Sequence, residues 1–209
     1  MPAKVDPPAQ KKFLEEQLQP LLKQAQCKLH QVWFVDASHF VFALYLGYLW
    51  CLVRCFVRAP CGRKRYNVLG ALNAVTHEMV QVTNHAYINS HSVCELLVKL
   101  AAQRNGMPVT VVLDNAPYQR CKLVQQKAKE LGIRLLFLPS YSPNLNLIER
   151  VWKFVKKECL NSRYLTEYSD FTQAIDKCLD ELQTTHRDQM KTLLTHDFQM
   201  FEDVPVLTA

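Results

Sequence analysis

The chain has 209 residues, 49% apolar and 21% charged, and its 25 Lys and Arg against 19 Asp and Glu give a net charge of +6. This is an ordinary balance for a soluble globular protein with one sizeable core, and its basic excess favours a polyanionic partner, nucleic acid first. The eight cysteines include no CxxC pair and the first residues lack an apolar signal core, which argues against a secreted disulfide scaffold and a paired-cysteine zinc site and favours reduced thiols in the cytoplasm.

Residues 1–27 carry Phe13, Leu14, Leu18, Leu21 and Leu22 at helical spacing, interrupted by Pro20, and read as a helical linker or arm. VWFV at 32–35 reads as a buried strand ending at Asp36. The stretch from Phe40 to Val53 is uncharged over 14 residues, whereas a membrane span needs about 20, so it reads as buried strands around a turn at Gly47 and no membrane is expected. Further strands are expected around 48–57, 66–75 and 79–84, with the basic triplet Arg63, Lys64 and Arg65 between them. A helix over 88–106 can be capped by Ser90 or Ser92 and stopped by Gly106.

PVTVVLDN at 108–115 is a continuous apolar run ending in acid, as suits a central strand covered on both faces. A helix over 119–131, stopped by Gly132, and a strand over 133–139 complete a βαβ unit with parallel strands. A helix from Leu147 to Cys159 follows, and then one over 169–183 with Phe171, Ile175, Cys178, Leu179 and Leu182 on one face. Strands first, then alternating helices and strands, predict a mixed sheet with helices on both faces.

Three acids stand where a site can form. Asp36 and Asp114 end apolar strands, and Glu149 opens the helix after the next strand and loop. Converging carboxylates repel one another unless a cation neutralises them, and hard oxygen donors suit magnesium or manganese. Each acid also has a plainer role: Asp36, or the pair Asp114-Asn115, as turn residues, and Asn146-x-x-Glu149 as a capping box. Glu149, Lys153 and Lys156 share one helical stripe, while Ile148, Val151, Trp152 and Val155 form the apolar one. A carboxylate flanked by lysines fits a metal ligand beside phosphate contacts.

The segments VDASHF, VLDNAPYQR and LPSYSPNLNLIERVWKFVKK together resemble the DDE transposases of the Tc/mariner superfamily, in its bacterial insertion-sequence branch. The last segment is the most specific, and 34 residues separate Asp114 from Glu149, the spacing common in that family. The resemblance covers about residues 28–200. It implies an α/β, RNase H-like (retroviral integrase-type) fold with a mixed five-stranded sheet flanked by helices, in a catalytic domain over 28–201 followed by a tail at 202–209.

It further implies that Asp36, Asp114 and Glu149 are catalytic and hold two Mg2+ or Mn2+ ions, with Asp36 bridging both. The reaction implied is hydrolysis of DNA strands at transposon ends, followed by strand transfer into target DNA at TA dinucleotides, by a homodimer. Phosphate contacts are expected from Arg63, Lys64, Arg65, Lys153, Lys156 and Lys157, and supporting roles from His39, Asn115 and Asn146. Gln119 stands where many relatives carry His, and Leu147 where many carry Pro. The helix-turn-helix modules of full-length relatives do not fit into 27 residues, so the expectation is a fragment, a naturally short copy, or one of two split reading frames whose partner is a separately encoded helix-turn-helix part. The alternatives are a non-catalytic DNA-binding or oligomerising remnant, and a different RNase H-like nuclease such as a resolvase.

Overall fold

The structure, a computed structural model, describes residues 5–42, 52, 64–161, 163 and 165–200. The strand expected around 48–57, most of the uncharged stretch and Arg63 lie outside the described residues. Among the described residues, no helix is long and apolar enough to cross a membrane.

Among the described residues, five strands form one mixed sheet in the order β3-β2-β1-β4-β5: β1 (Gln31–Val41), β2 (Arg65–Asn73), β3 (Met79–Asn84), β4 (Val109–Leu113) and β5 (Ile133–Phe137). β1, β2 and β3 are antiparallel neighbours, whereas β1, β4 and β5 run parallel. The parallel half follows from its connections, since each crossover carries a helix: α3 (Ser90–Ala102) before β4, and α4 (Pro117–Arg120) with α5 (Lys122–Glu130) before β5. The expected 119–131 helix is two pieces, because Cys121 is extended at ψ 158. Asn89, rather than either serine alone, caps α3 in a capping box with Ser92.

The strand alternation splits the core into two. Val32 and Phe34 face one side, with α6 (Ile148–Val155) and α7 (Tyr168–Asp180); Trp33 and Val35 face the other, with α3 and α5. A short last helix, α8 (Arg187–Leu193), contributes buried Met190 to the α6 side.

The N-terminal segment is not a free arm. α1 (Pro7–Phe13), a π-helical turn (Leu14–Leu18) and α2 (Gln19–Gln26) follow without a break, and Phe13, Leu14, Leu18, Leu21, Leu22 and Ala25 join the α6-side core. Pro20 lies in the first turn of α2, directly after the π turn, so the helix passes a residue with no amide N–H to donate.

Candidate active site

β1 does not end at Asp36 but continues five residues further, to Val41, paired with β2 throughout. The longer strand fixes which side chains share a face. The β1–β4 register sets Phe34 beside Val112, and the same offset carried two residues further sets Asp36 beside Asp114, just past the end of β4. Both acids therefore point to the Phe34 side of the sheet, the side that α6 covers. α6 packs over β1 and β2 and carries Glu149 in its first turn.

The three acids line one cleft of about 240 Å³, together with Asn115, Ala116, Asn146 and the loop from Leu138 to Pro143. Asp36 is pushed up to about 7, by burial first and then by the neighbouring charges of Glu149 and Asp114. Its Oδ2 accepts a hydrogen bond from the Trp152 indole at 3.0 Å. Asp114 Oδ1 accepts from the Ala116 amide at 3.1 Å, so its turn role is real and compatible with a second one. Tyr118, next along, is pushed up to about 12 by burial and by the charges of Asp114 and Asp36. Among the described residues, no group of three His, Cys, Asp or Glu side chains converges on a single ion position. Asp36 is the acid on which the charges of both others act.

The supporting residues divide. Asn115 donates to the Leu138 carbonyl and ties the ends of β4 and β5 together. Asn146 does not cap α6: its Nδ2 donates to the Val35 carbonyl at 3.3 Å, and the Glu149 amide donates to the Asn146 backbone carbonyl instead. The capping box is thus absent, and Leu147 is the N-cap without a side-chain bond. Asn146 Oδ1 is buried with no partner, in the wall of the acidic cleft. His39 is displaced from its expected role. It stands three positions after Asp36, an odd offset along the strand, so it projects from the opposite face, where its Nδ1 meets Asn67 Oδ1 at 2.6 Å. Gln119 is fully buried and its amide reaches the Tyr118 hydroxyl at 3.4 Å, outside the cleft.

The described basic residues stand outside the cleft, along α6 and at the start of β2. Arg65, Lys153 and Lys157 are exposed. Lys64 lies 5.3 Å from the Tyr168 ring centroid, and half-buried Lys156 lies 5.7 Å from that of Phe40.

Gln10 has no counterpart among the expected site residues. It is fully buried; its Nε2 donates to Ser142 Oγ at 2.9 Å and its Oε1 accepts from Asn144 Nδ2 at 3.1 Å. It clamps the cleft loop from a helix more than 130 positions away. A polar residue among apolar ones at helical spacing was the available signal. Trp152, read from sequence as core only, is the other addition.

A protein of Sinorhizobium fredii described as "Uncharacterized protein y4pE/y4sA" is 36% identical over 67 residues, 32% of this chain and 47% of that protein. Among solved structures, the catalytic domain of Mos1 mariner transposase superposes with a TM-score of 0.59 at 14% identity, covering 97% of this chain and all of that one. The Mos1 mariner paired end complex with Mn gives a TM-score of 0.61 at 14% identity, and there the chain spans 66% of the transposase chain. These likenesses establish the RNase H-like fold. The DDE superfamily endonuclease family model matches residues 31–172, a stretch that holds all three cleft acids, and the chain belongs to that family.

Proposed function

We propose that the chain is the catalytic domain of a transposase that cuts and joins DNA strands at transposon ends with two divalent metal ions, Mg2+ or Mn2+. The observation that carries this reading is the acidic cleft. Asp36 sits between two other carboxylates, and burial and their charge drive it toward its neutral form. A cation would reverse that balance. The donor set fits a hard ion: three carboxylates, with the unpartnered Asn146 carboxamide oxygen in the same wall. Asp36, Asp114 and Glu149 would hold the ions, and Asp36, on which the other two charges act, would be the ligand they share. The Mos1 paired end complex is described with Mn.

When bound, such ions activate the attacking oxygen and stabilise the leaving oxygen of a phosphodiester. The chain's own residues hold the geometry. The β1 and β4 backbones fix Asp36 and Asp114 side by side, Asn146 ties the α6 loop to β1, and α6 presents Glu149 across from them. Lys153, Lys156, Lys157, Lys64 and Arg65 would meet phosphates, which position DNA without reading its sequence. Action as a homodimer at TA targets belongs to the same proposal.

The test is strand joining with pre-cleaved transposon-end DNA. Activity is expected only with Mg2+ or Mn2+, and Glu149→Gln should abolish it while leaving the circular dichroism spectrum unchanged. A Gln variant that joins strands at the parent rate would refute a ligand role for Glu149.

A further inference from the structure

Behind Asp36 lies a contact that neither the fold nor the three acids require. Trp152 is 2% exposed, and its Nε1–H points at Asp36 Oδ2 at 3.0 Å. A Phe or Leu there would fill space on the sheet; only the indole brings a donor to the carboxylate. The ring meets Phe40 edge-on, with centroids 6.2 Å apart and planes at 81°. Beneath it lies Gly70, directly opposite Asp36 in the β1–β2 register. A Cβ on Gly70 would stand 2.7 Å from Trp152 Cη2 and 3.0 Å from Ile148 Cδ1, and closer still to Met79 Cε. Side chains at Gly70 and Asp36 would share one face as nearest cross-strand neighbours, so the missing side chain is the space into which the indole sinks.

We propose that Trp152 is a positioning residue for Asp36, fixing the carboxylate's rotation through one oxygen so that the other lone pairs face the cleft, and that Gly70 is the cradle that lets it do so. This rests on the metal-dependent reading above. It extends the site to β2, which supplies no acid, and it gives the apolar stripe of α6 a part in the chemistry. On that reading Asp36 is the ligand common to both ions, so its orientation affects both.

The experiment measures Mn2+ binding directly, from the paramagnetic resonance signal of free Mn2+, on the full chain without DNA. Trp152→Phe should weaken Mn2+ binding about tenfold, the size of one hydrogen bond to a charged group. Gly70→Ala should weaken it comparably, because the displaced indole can no longer reach Asp36. Trp33→Phe is the control for simple loss of packing: Trp33 is 1% exposed on the other face and donates to Gln31. That variant should lose stability and keep the parent's Mn2+ affinity. Parent-like affinity in Trp152→Phe, or equal weakening in Trp33→Phe, overturns the positioning role. Parent-like affinity in Gly70→Ala overturns the cradle. A parent chain that binds no Mn2+ overturns the metal reading itself and this inference with it, a result distinct from the other two.

Discussion

Asp36 carries a burial and repulsion cost in the fold when no cation is present. Its carboxyl moves from an ordinary 3.8 to about 7, so the folded chain holds a proton that the unfolded chain releases. The stability linked to that proton is fully present below pH 3.8 and is lost as pH rises through about 7. In chelator-treated protein, unfolding free energy should therefore fall between pH 5 and pH 8, by on the order of a few kcal/mol from this group. Asp36→Asn should flatten that slope, and saturating Mn2+ should reverse it, because ions bind the deprotonated form. Denaturant titrations across the pH range measure this, and a slope unchanged in Asp36→Asn would locate the linkage elsewhere. The convergence of Asp36 with the other two acids in one cleft was legible in the sequence, from an apolar run reaching an acid. Its orientation was not, because the strand continues past it. The same continuation removes His39 from the cleft, since alternation gives adjacent odd and even positions to opposite faces.

The elements that carry the acids were legible because each is long or strongly patterned. β4 is a run of five buried residues, and α6 buries Ile148, Val151, Trp152 and Val155 as its spacing predicts. What holds these elements in place was less legible, because it depends on contacts distant in sequence. The helix from Pro7 to Gln26 read as an arm, since a proline in its middle signals a break; the π turn before Pro20 keeps it whole. Once continuous, it delivers Gln10 to the loop that walls the cleft. Gln10→Ala should leave Ser142 and Asn144 short of partners and cost about 1–3 kcal/mol. Amide exchange at residues 140–146 should rise in that variant while β4 stays protected. Unchanged protection of the loop would show that Gln10 only fills space. Gly70 likewise looks like a strand-weakening residue in sequence, and only the register shows the indole above it.

Across the molecule, one end of a mixed sheet gathers three acids contributed by two parallel strands and a covering helix, with basic side chains on the flanking elements. A cleft of carboxylates repels phosphate, so on the proposed reading DNA attraction comes from basic side chains outside it, Lys64, Arg65, Lys153, Lys156 and Lys157 among them. Binding by the chain alone should be weak, with dissociation constants on the order of micromolar or weaker at physiological salt. It should fall steeply with salt, and shuffled DNA should compete about as well as terminal-repeat DNA. Replacing Lys153 and Lys156 by Ala should flatten the salt dependence; a preference of about a hundredfold for the repeat would reveal a sequence reader within these residues. The proposed chemistry depends on Asp36 serving both ions, and counting bound Mn2+ ions per chain in the variants tests that most directly. The account predicts two ions in the parent, one in Asp114→Asn and in Glu149→Gln, and none held tightly in Asp36→Asn. An Asp36→Asn chain that binds as many ions as the parent would contradict it.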